Sequence, residues 1–494
     1  MDSKWLWKKK SSEKSSGESD SSGSVSSHSE RYSDEQFVQV IGSIARRTAS
    51  TQEEQHNIPI KGDITYLLQD QISPLPDEIL IGILSRLNTR EASRTSAISK
   101  RWRNLWTHVT CLNFDEDVVQ NKRFDQFEIS ARAKWVTQVL QLHQGSTLDM
   151  FRMNRHYSTS VPATKCIEFA ARKRVQRLEI EGGHNSLLKK LLESPFKSLR
   201  HLSLKNIAVN DELVGHFLSH CEVLEHLCVC CIENLYAVKA VGSSLRLKFL
   251  QVSNCRQLVR VDIFAPNLVE FVYDSRSVYT RGIVLKHAPS LVKVSLAEND
   301  ESITRAFLSV SSCFSCLHTL SLRMNFDLQI NMPQEFPELT CLKDLSLEVC
   351  NANCGQSLLS LTPLLERSPS LHRLTLQVCI SIHSFICIAE MRWKWNYYKK
   401  QSWRDMQKIN RCPHHCLKEV KFCGFLGFGS IIDTDFAMYL IECAMVLEKL
   451  IVELETRREI LPEFKATDNM LEATREHVLQ LGTQLPPRAE LIII

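Results

Sequence analysis

The sequence predicts an α/β chain: a small three-helix module, then an irregular solenoid of strand-bearing repeats, continued by an α/β end. Three observations predict it. The pattern L-x-x-L-x-L recurs beyond residue 170 at a near-regular period. A stretch opening near residue 70 repeats Leu and Ile at steps of three and four between helix-capping residues. Residues 1–33 hold 13 serines and almost no aliphatic side chains beyond Leu6 and Val25, which sets a tail apart. The 494 residues allow about three domains or one elongated array. With 44% hydrophobic and 23% charged residues, most of the chain can bury a core. Sixty Lys and Arg against 56 Asp and Glu leave a formal charge of +4, which excludes a binder of nucleic acid that is basic throughout. No apolar run approaches the roughly 18 residues that span a bilayer.

Residues 1–69 read as a disordered Ser-rich tail, because so few apolar side chains cannot offset the entropy of ordering it. Lys8, Lys9 and Lys10 suit either part of a nuclear-import signal or a solvated charge run. The start, MDSKWLWKKK, lacks the apolar run of a secretory signal. Eighteen cysteines spread over the chain therefore read as reduced thiols of the nucleus or cytoplasm. Several, such as Cys228 and Cys350, are read as small hydrophobes at apolar positions.

Residues 70–115 form the module. Pro76 suits the start of a helix, and Asp77 and Glu78 favour its positive end. Leu75, Ile79, Leu80, Ile83, Leu84 and Leu87 follow as a broad apolar stripe. Asn88 or Thr89 can cap a second short helix, and Ser99 a third that carries Lys100, Arg101, Trp102, Leu105 and Trp106. So small a module has little core of its own, yet it displays Leu, Ile and two Trp, which argues for a permanent partner.

These residues resemble a plant F-box. The signatures are LPDEIL at 75–80 and SKRWRNLW at 99–106, joined by RTSAIS. Asn88 stands where the motif commonly has Pro, and Ala92-Ser93 replaces a small-plus-aliphatic pair. The resemblance implies docking on a Skp-type adaptor and, through it, a cullin scaffold. Carried over residue by residue, the implied adaptor contacts are Leu75, Pro76, Ile79, Leu80, Ile83, Leu84, Trp102 and Trp106. Some of the same side chains must also hold the three helices together.

Residues 116–174 carry no clear repeat. RAKWVTQVLQLH (132–143) and VPATKCIEFAARKRV (161–175) read as helices that cap the solenoid. From 175 to 410 the first apolar residue of each unit falls at Val175, Leu199, Leu224, Leu247, Leu268, Leu291, Leu317, Leu342 and Leu371, then beyond an insertion at Leu417 and Leu447. Most separations lie within the roughly 20–29 residues of leucine-rich repeats. Alternating apolar residues make a short strand with one face inward, and stacked units share the core. Helix-like returns such as DELVGHFLSHCEVL (211–224) lie between them. Asn206, Asn254 and Asn351 follow some strands and are missing after others, so the expected arc is irregular. Its strands and adjoining loops would read a protein target whose identity the sequence leaves unknown.

Residues 411–494 contain HHCLKEVKFCGFLGFGS (414–430), DFAMYLIECAMVLEKLIVEL (435–454) and QLPPRAELIII (484–494). They resemble the FBD domain found behind many plant F-box and leucine-rich-repeat chains. A strand, a Gly-rich turn, an amphipathic helix and another strand would continue the stack.

No GxSxG, HExxH, phosphate-cradling loop or kinase set is present, so neither catalysis nor a cofactor is expected. Cys412, His414, His415 and Cys416 are packed too tightly for all four to reach one ion, and Cys313 and Cys316 form a lone CxxC; no metal centre is expected at either. The insert 391–408 holds six Lys or Arg and five aromatics, Trp393, Trp395, Tyr397, Tyr398 and Trp403. It suits a loop packed on the solenoid, a protein contact, or, ranked last, single-stranded nucleic acid or an acidic membrane surface. By resemblance, the chain is expected to be the non-catalytic target-reading subunit of an SCF-type ubiquitin ligase. The alternative is a scaffold or interaction protein acting without ubiquitin transfer, with nucleic-acid or membrane contact through 391–408.

Overall fold

A computed structural model describes residues 74–115, 126–153, 163–182, 186–275, 282–298, 313–325, 337–350, 358–379, 413–425, 434–454 and 478–494, with a few isolated positions between them. The Ser-rich segment 1–69, the insert 391–408, Asn351 and Cys412 lie outside the described residues.

The front module forms as the punctuation predicts. Helix α1 (Asp77–Leu84) starts after Pro76, whose carbonyl accepts from the amides of Ile79 and Leu80, both at 3.1 Å. Of the two candidate caps, Asn88 serves α2 (Thr89–Arg94): its Oδ1 accepts from the Glu91 amide at 2.9 Å. Such a cap contributes about 1 kcal/mol, so Asn where the motif commonly has Pro costs little. Ser99 Oγ accepts from the Trp102 amide at the start of α3 (Trp102–Leu105).

Strand β1 (Cys111–Asn113) follows without a linker and opens a parallel sheet that has fourteen strands among the described residues. The stretch read as a helical cap differs from that reading. It contains the expected helices, α4 (Gln126–Leu142) and α5 (Ala163–Arg172), but also β2 (Met150–Met153), which pairs with β1 and with β3 (Arg177–Glu181). The coils therefore begin at the front module itself. The repeat pattern is present in both early strands: Val109-x-x-Leu112-x-Phe114 and Leu148-x-x-Phe151-x-Met153 keep the spacing with other apolar residues in place of Leu.

Each of the eleven predicted unit starts lies two residues before a strand. The strands are β3, β4 (His201–Lys205), β5 (His226–Cys230), β7 (Phe249–Ser253), β9 (Glu270–Ser275), β11 (Lys293–Glu298), β12 (Thr319–Asn325), β13 (Asp344–Cys350), β14 (Arg373–Cys379), β15 (Glu419–Phe425) and β16 (Lys449–Leu454). The sheet ends with β17 (Glu490–Ile493). Register is set by one inward row: Leu178, Leu202, Leu227, Leu250 and Phe271 align strand to strand, and each is fully buried. A one-residue slip would turn that row to solvent, so the pattern fixes the pairing.

The returns on the other side depend on coil length. Where unit starts lie 24 or 25 residues apart, from Val175 to Leu224, helices α6 (Ser186–Glu193) and α7 (Asp211–His220) run back along the core. From Leu224 to Leu291 the spacing falls to 23, 21 and 23, and the returns are strands: β6 (Ala237–Val241), β8 (Arg260–Phe264) and β10 (Gly282–His287) form a second parallel sheet, ordered β10-β8-β6. Five extended residues span about 16 Å, a distance that takes about ten residues of helix. Short coils can therefore close only with a strand. Helical residues reappear at 307 and 309–311, and the helices α8 (Thr362–Glu366) and α9 (Thr434–Cys443) follow in later returns.

Candidate partner-docking site

The structure divides the eight sequence-predicted contact residues into two groups. Leu80, Leu84, Trp102 and Trp106 are buried and form the module's own core with Leu105 and Val109. Leu75 and Ile83 are half-buried, and Pro76 and Ile79 are exposed. Ile79 keeps 51% of its surface in solvent, although it lies on a helix whose opposite side is fully buried at Leu80 and Leu84. Ile79 and Ile83 share one side of α1, four residues apart, with Pro76 at its N-cap, while Leu75 precedes the helix and packs partly against the core.

Arg101 joins the two signature segments, a role that the sequence does not announce. Its guanidinium hydrogen-bonds Asp77 in the first turn of α1 (Nε to Oδ1, 2.8 Å) and donates to the Leu75 carbonyl. Arg101 thus fixes where the LPDEIL turn sits relative to the third helix. Ser85 Oγ ties the module to the solenoid: it donates to the Ile81 carbonyl (2.7 Å) and accepts from the Thr110 amide (2.9 Å) just before β1. Phe114 continues the junction, packing edge-on to Trp135 at 5.7 Å and against Phe151 at 5.6 Å.

The long sheet presents a second surface, its open face. In the register rows, His201, His226 and Phe249 stack at ring separations of 5.3 and 5.6 Å. Beside them runs a row of Ser203, Cys228 and Gln251, continued farther along by Ser295, Ser321 and Ser346. Cys228 and Cys350 lie half-buried on this face, which corrects their reading as core hydrophobes: inward positions alternate with outward ones, and both fall on the outward phase.

Charges on this face are paired across strands. Arg323 meets Glu348 (2.8 Å) and Asp274 (3.6 Å), Lys293 meets Glu270 (2.9 Å), and Arg373 meets Asp344 (2.5 Å). Along one border Glu225 accepts from Lys248 (2.9 Å) and Arg200 (2.7 Å), and the Lys248 bond leads in holding its carboxyl below the usual range. Burial pushes His201 down to about 4, with Arg177 adding to the effect, so the ring is neutral at pH 7. The open face is thus a polar, charge-balanced strip with a ring shelf at one end.

Of the residues weighed for metal chemistry, all but Cys412 are among the described ones. His414 is buried and joins the backbone at Ala444 through an isolated parallel bridge, and its carbonyl accepts from the Met445 amide (3.0 Å). Cys313 turns its thiol to the Leu285 carbonyl of a neighbouring coil (3.7 Å), while Cys316 is exposed. Among the described residues no group of three or more His, Cys, Asp or Glu could hold a metal ion, and no helix is long and apolar enough to cross a membrane.

Comparison with known proteins places residues 72–113 under an F-box domain model and residues 136–480 under the model described as At1g61320/AtMIF1, LRR domain. The chain is similar to the F-box/FBD/LRR-repeat protein At1g13570 of Arabidopsis thaliana, at 28% identity over 46% of this chain and 54% of that one. It therefore spans about half the length of that relative. The FBD-associated F-box protein At4g10400 of the same plant is 25% identical over 78% of this chain and 93% of its own length. A third, described as a putative F-box/FBD/LRR-repeat protein, At4g13965, is 30% identical over 48% of this chain and 60% of its own.

Proposed function

The chain belongs to the leucine-rich-repeat family represented by the At1g61320/AtMIF1 LRR domain, with an F-box domain at its front, and on that premise we propose that it is a non-catalytic target-reading subunit of an SCF-type ubiquitin ligase. The outward side of α1 docks a Skp-type adaptor, a cullin scaffold joins through that adaptor, and the open face of the repeats holds a protein target. The observation that carries this reading is the half-exposed Ile79 with Leu75, Pro76 and Ile83 around it, on a helix whose other side is already buried. Leu80, Leu84, Trp102 and Trp106 serve docking indirectly, by holding that side in shape.

Fully burying one such aliphatic side chain contributes about 1.5–3 kcal/mol before ordering costs. Capture of a Skp-type adaptor by the whole chain tests the reading. Ile79→Ala, and Leu75→Ala combined with Pro76→Ala, should each weaken capture about tenfold or more with unchanged circular dichroism; full capture by both would overturn it. Accumulation of a captured partner on proteasome inhibition would separate ubiquitin transfer from scaffolding.

Two finer readings accompany this one. The segment 411–494 is an FBD-type end, a reading supported by the strand-helix-strand order of β15, α9 and β16 and by the relatives that bear that name. The working compartment is the nucleus, the cytoplasm or both, consistent with the free thiols among the described residues.

A further inference from the structure

Strand β5 carries Cys228 and Cys230 on the same side, because alternate residues of a strand point the same way. Their sulfurs lie 3.4 Å apart. Cys228 is half-buried on the open face, and Cys230, the last residue of the strand, is buried behind it, so a reagent from solvent meets Cys228 first. The surroundings are polar. Ser203 on β4 and Gln251 on β7 flank Cys228 in register, the Cys228 thiol donating to Gln251 Oε1 at 3.3 Å; Lys205 and Ser253 flank Cys230 in the same way. The hydrogen bond from Cys230 leads in holding the Cys228 thiol below the ordinary range, helped by Ser203 and Lys205 against burial and Glu179. Cys230 is pushed the opposite way by the same contact. Cys228 is thus the sulfur placed to react first and Cys230 the one placed to resolve it.

We propose that Cys228 and Cys230 form a reactive dithiol site on the open face, which low-molecular-weight disulfides such as oxidised glutathione convert reversibly to an intrastrand disulfide. The Cys228 thiolate attacks one sulfur of the disulfide, forming a mixed disulfide and expelling one glutathione thiolate. Cys230 then gives up its proton and attacks the Cys228 sulfur, expelling the second glutathione. The two protein thiols lose two hydrogens and two electrons, and the glutathione disulfide is reduced to two thiols. Closure needs the sulfurs to approach from 3.4 Å to about 2.05 Å, which takes side-chain rotation and a local tightening at the end of β5. Two strand residues place their Cα atoms about 6.6 Å apart, near the upper end of the disulfide range, so the bond is strained and readily reduced. Nearby Cys255 is turned away, its thiol directed at the Ser253 carbonyl (3.4 Å) in the core.

The site does not depend on adaptor docking, and its test is separate. The full chain, reduced and then exposed to oxidised glutathione, is alkylated, digested and mapped by mass spectrometry. The peptide spanning Cys228 and Cys230 should lose two hydrogens, resist alkylation at both positions, and regain both thiols with dithiothreitol. Cys230→Ser should instead trap a glutathione adduct on Cys228, and Cys231→Asn should behave as the wild type. Undiminished alkylation of Cys228 and Cys230 after glutathione treatment would overturn the proposal, as would pairing to Cys231 or Cys255. Should a variant fail to fold, the wild-type map alone decides.

Discussion

At the corner where successive strands leave the open face, Gly182, Asn206, Cys231 and Asn254 all take positive φ, between 51° and 75°. Each amide donates to the next coil: Gly182 to Lys205, Asn206 to Cys230, Cys231 to Ser253 and Asn254 to Asp274. Gly and Asn tolerate this conformation, whereas other side chains there cost roughly 1–2 kcal/mol. The asparagines were legible in the sequence, but the conformation they share with Cys231 was not, because nothing in that residue type announces a left-handed turn. Cys231→Asn is expected to raise stability by about 1 kcal/mol in urea unfolding. In the core, Leu320→Ala, at a fully buried site of the inward row, should lower it by about 2–5 kcal/mol. The histidines give a pH signature. Burial lowers the pKa of His143 and His226 and brings His201 to about 4. All three are neutral in the fold, so their stability is complete above the unfolded value of about 6.5. It declines as the unfolded chain takes up protons below that value, until His201 itself protonates near 4. Melting temperature should therefore fall between neutral pH and about pH 4.5, and His201→Gln should flatten the slope.

Among the elements, the front module was the most legible, since caps, apolar steps and the signature segments agreed on three short helices. What the sequence did not separate is which apolar side chains face a partner. Leu80 and Ile79 are adjacent and equally greasy, and only packing against Trp102 and Trp106 decides that the first is inside. Arg101 is the complementary case, a surface charge whose value lies in placement. Its ion pair with Asp77 is largely exposed and contributes about 1 kcal/mol or less. Arg101→Ala should hardly move the melting temperature, yet weaken adaptor capture several-fold by freeing the Leu75 turn; a large stability loss would show that the clamp holds the fold. Strands β1 and β2 escaped notice because Val, Phe and Met stand in for Leu, although the spacing is intact. The strand returns replace the expected helix-like ones over this stretch, although the shortened period and the alternation of Leu235-x-x-Val238-x-Ala240 and Leu258-x-x-Val261-x-Ile263 carry them.

For the whole molecule, one buried core runs from Leu80 in the first helix to Leu481 near the chain's end, with no break at the F-box. A stack of this kind is stabilised by its neighbours, coil on coil. Removing the last two strands should therefore expose the inward face of β15 and cost part of the stability, without unfolding the front. Hydrogen exchange would read this as protection lost first near Val420 and Phe422 and last near Leu112. The changeover from helical to extended returns has a mechanical effect as well. Strands sit about 4.8 Å apart, whereas packed helices need 8–10 Å. Coils with helices behind them must splay like cards held at one edge, while the three with strands at both faces stack evenly. The dithiol and its ring shelf therefore lie where coils backed by helices give way to coils with strands at both faces.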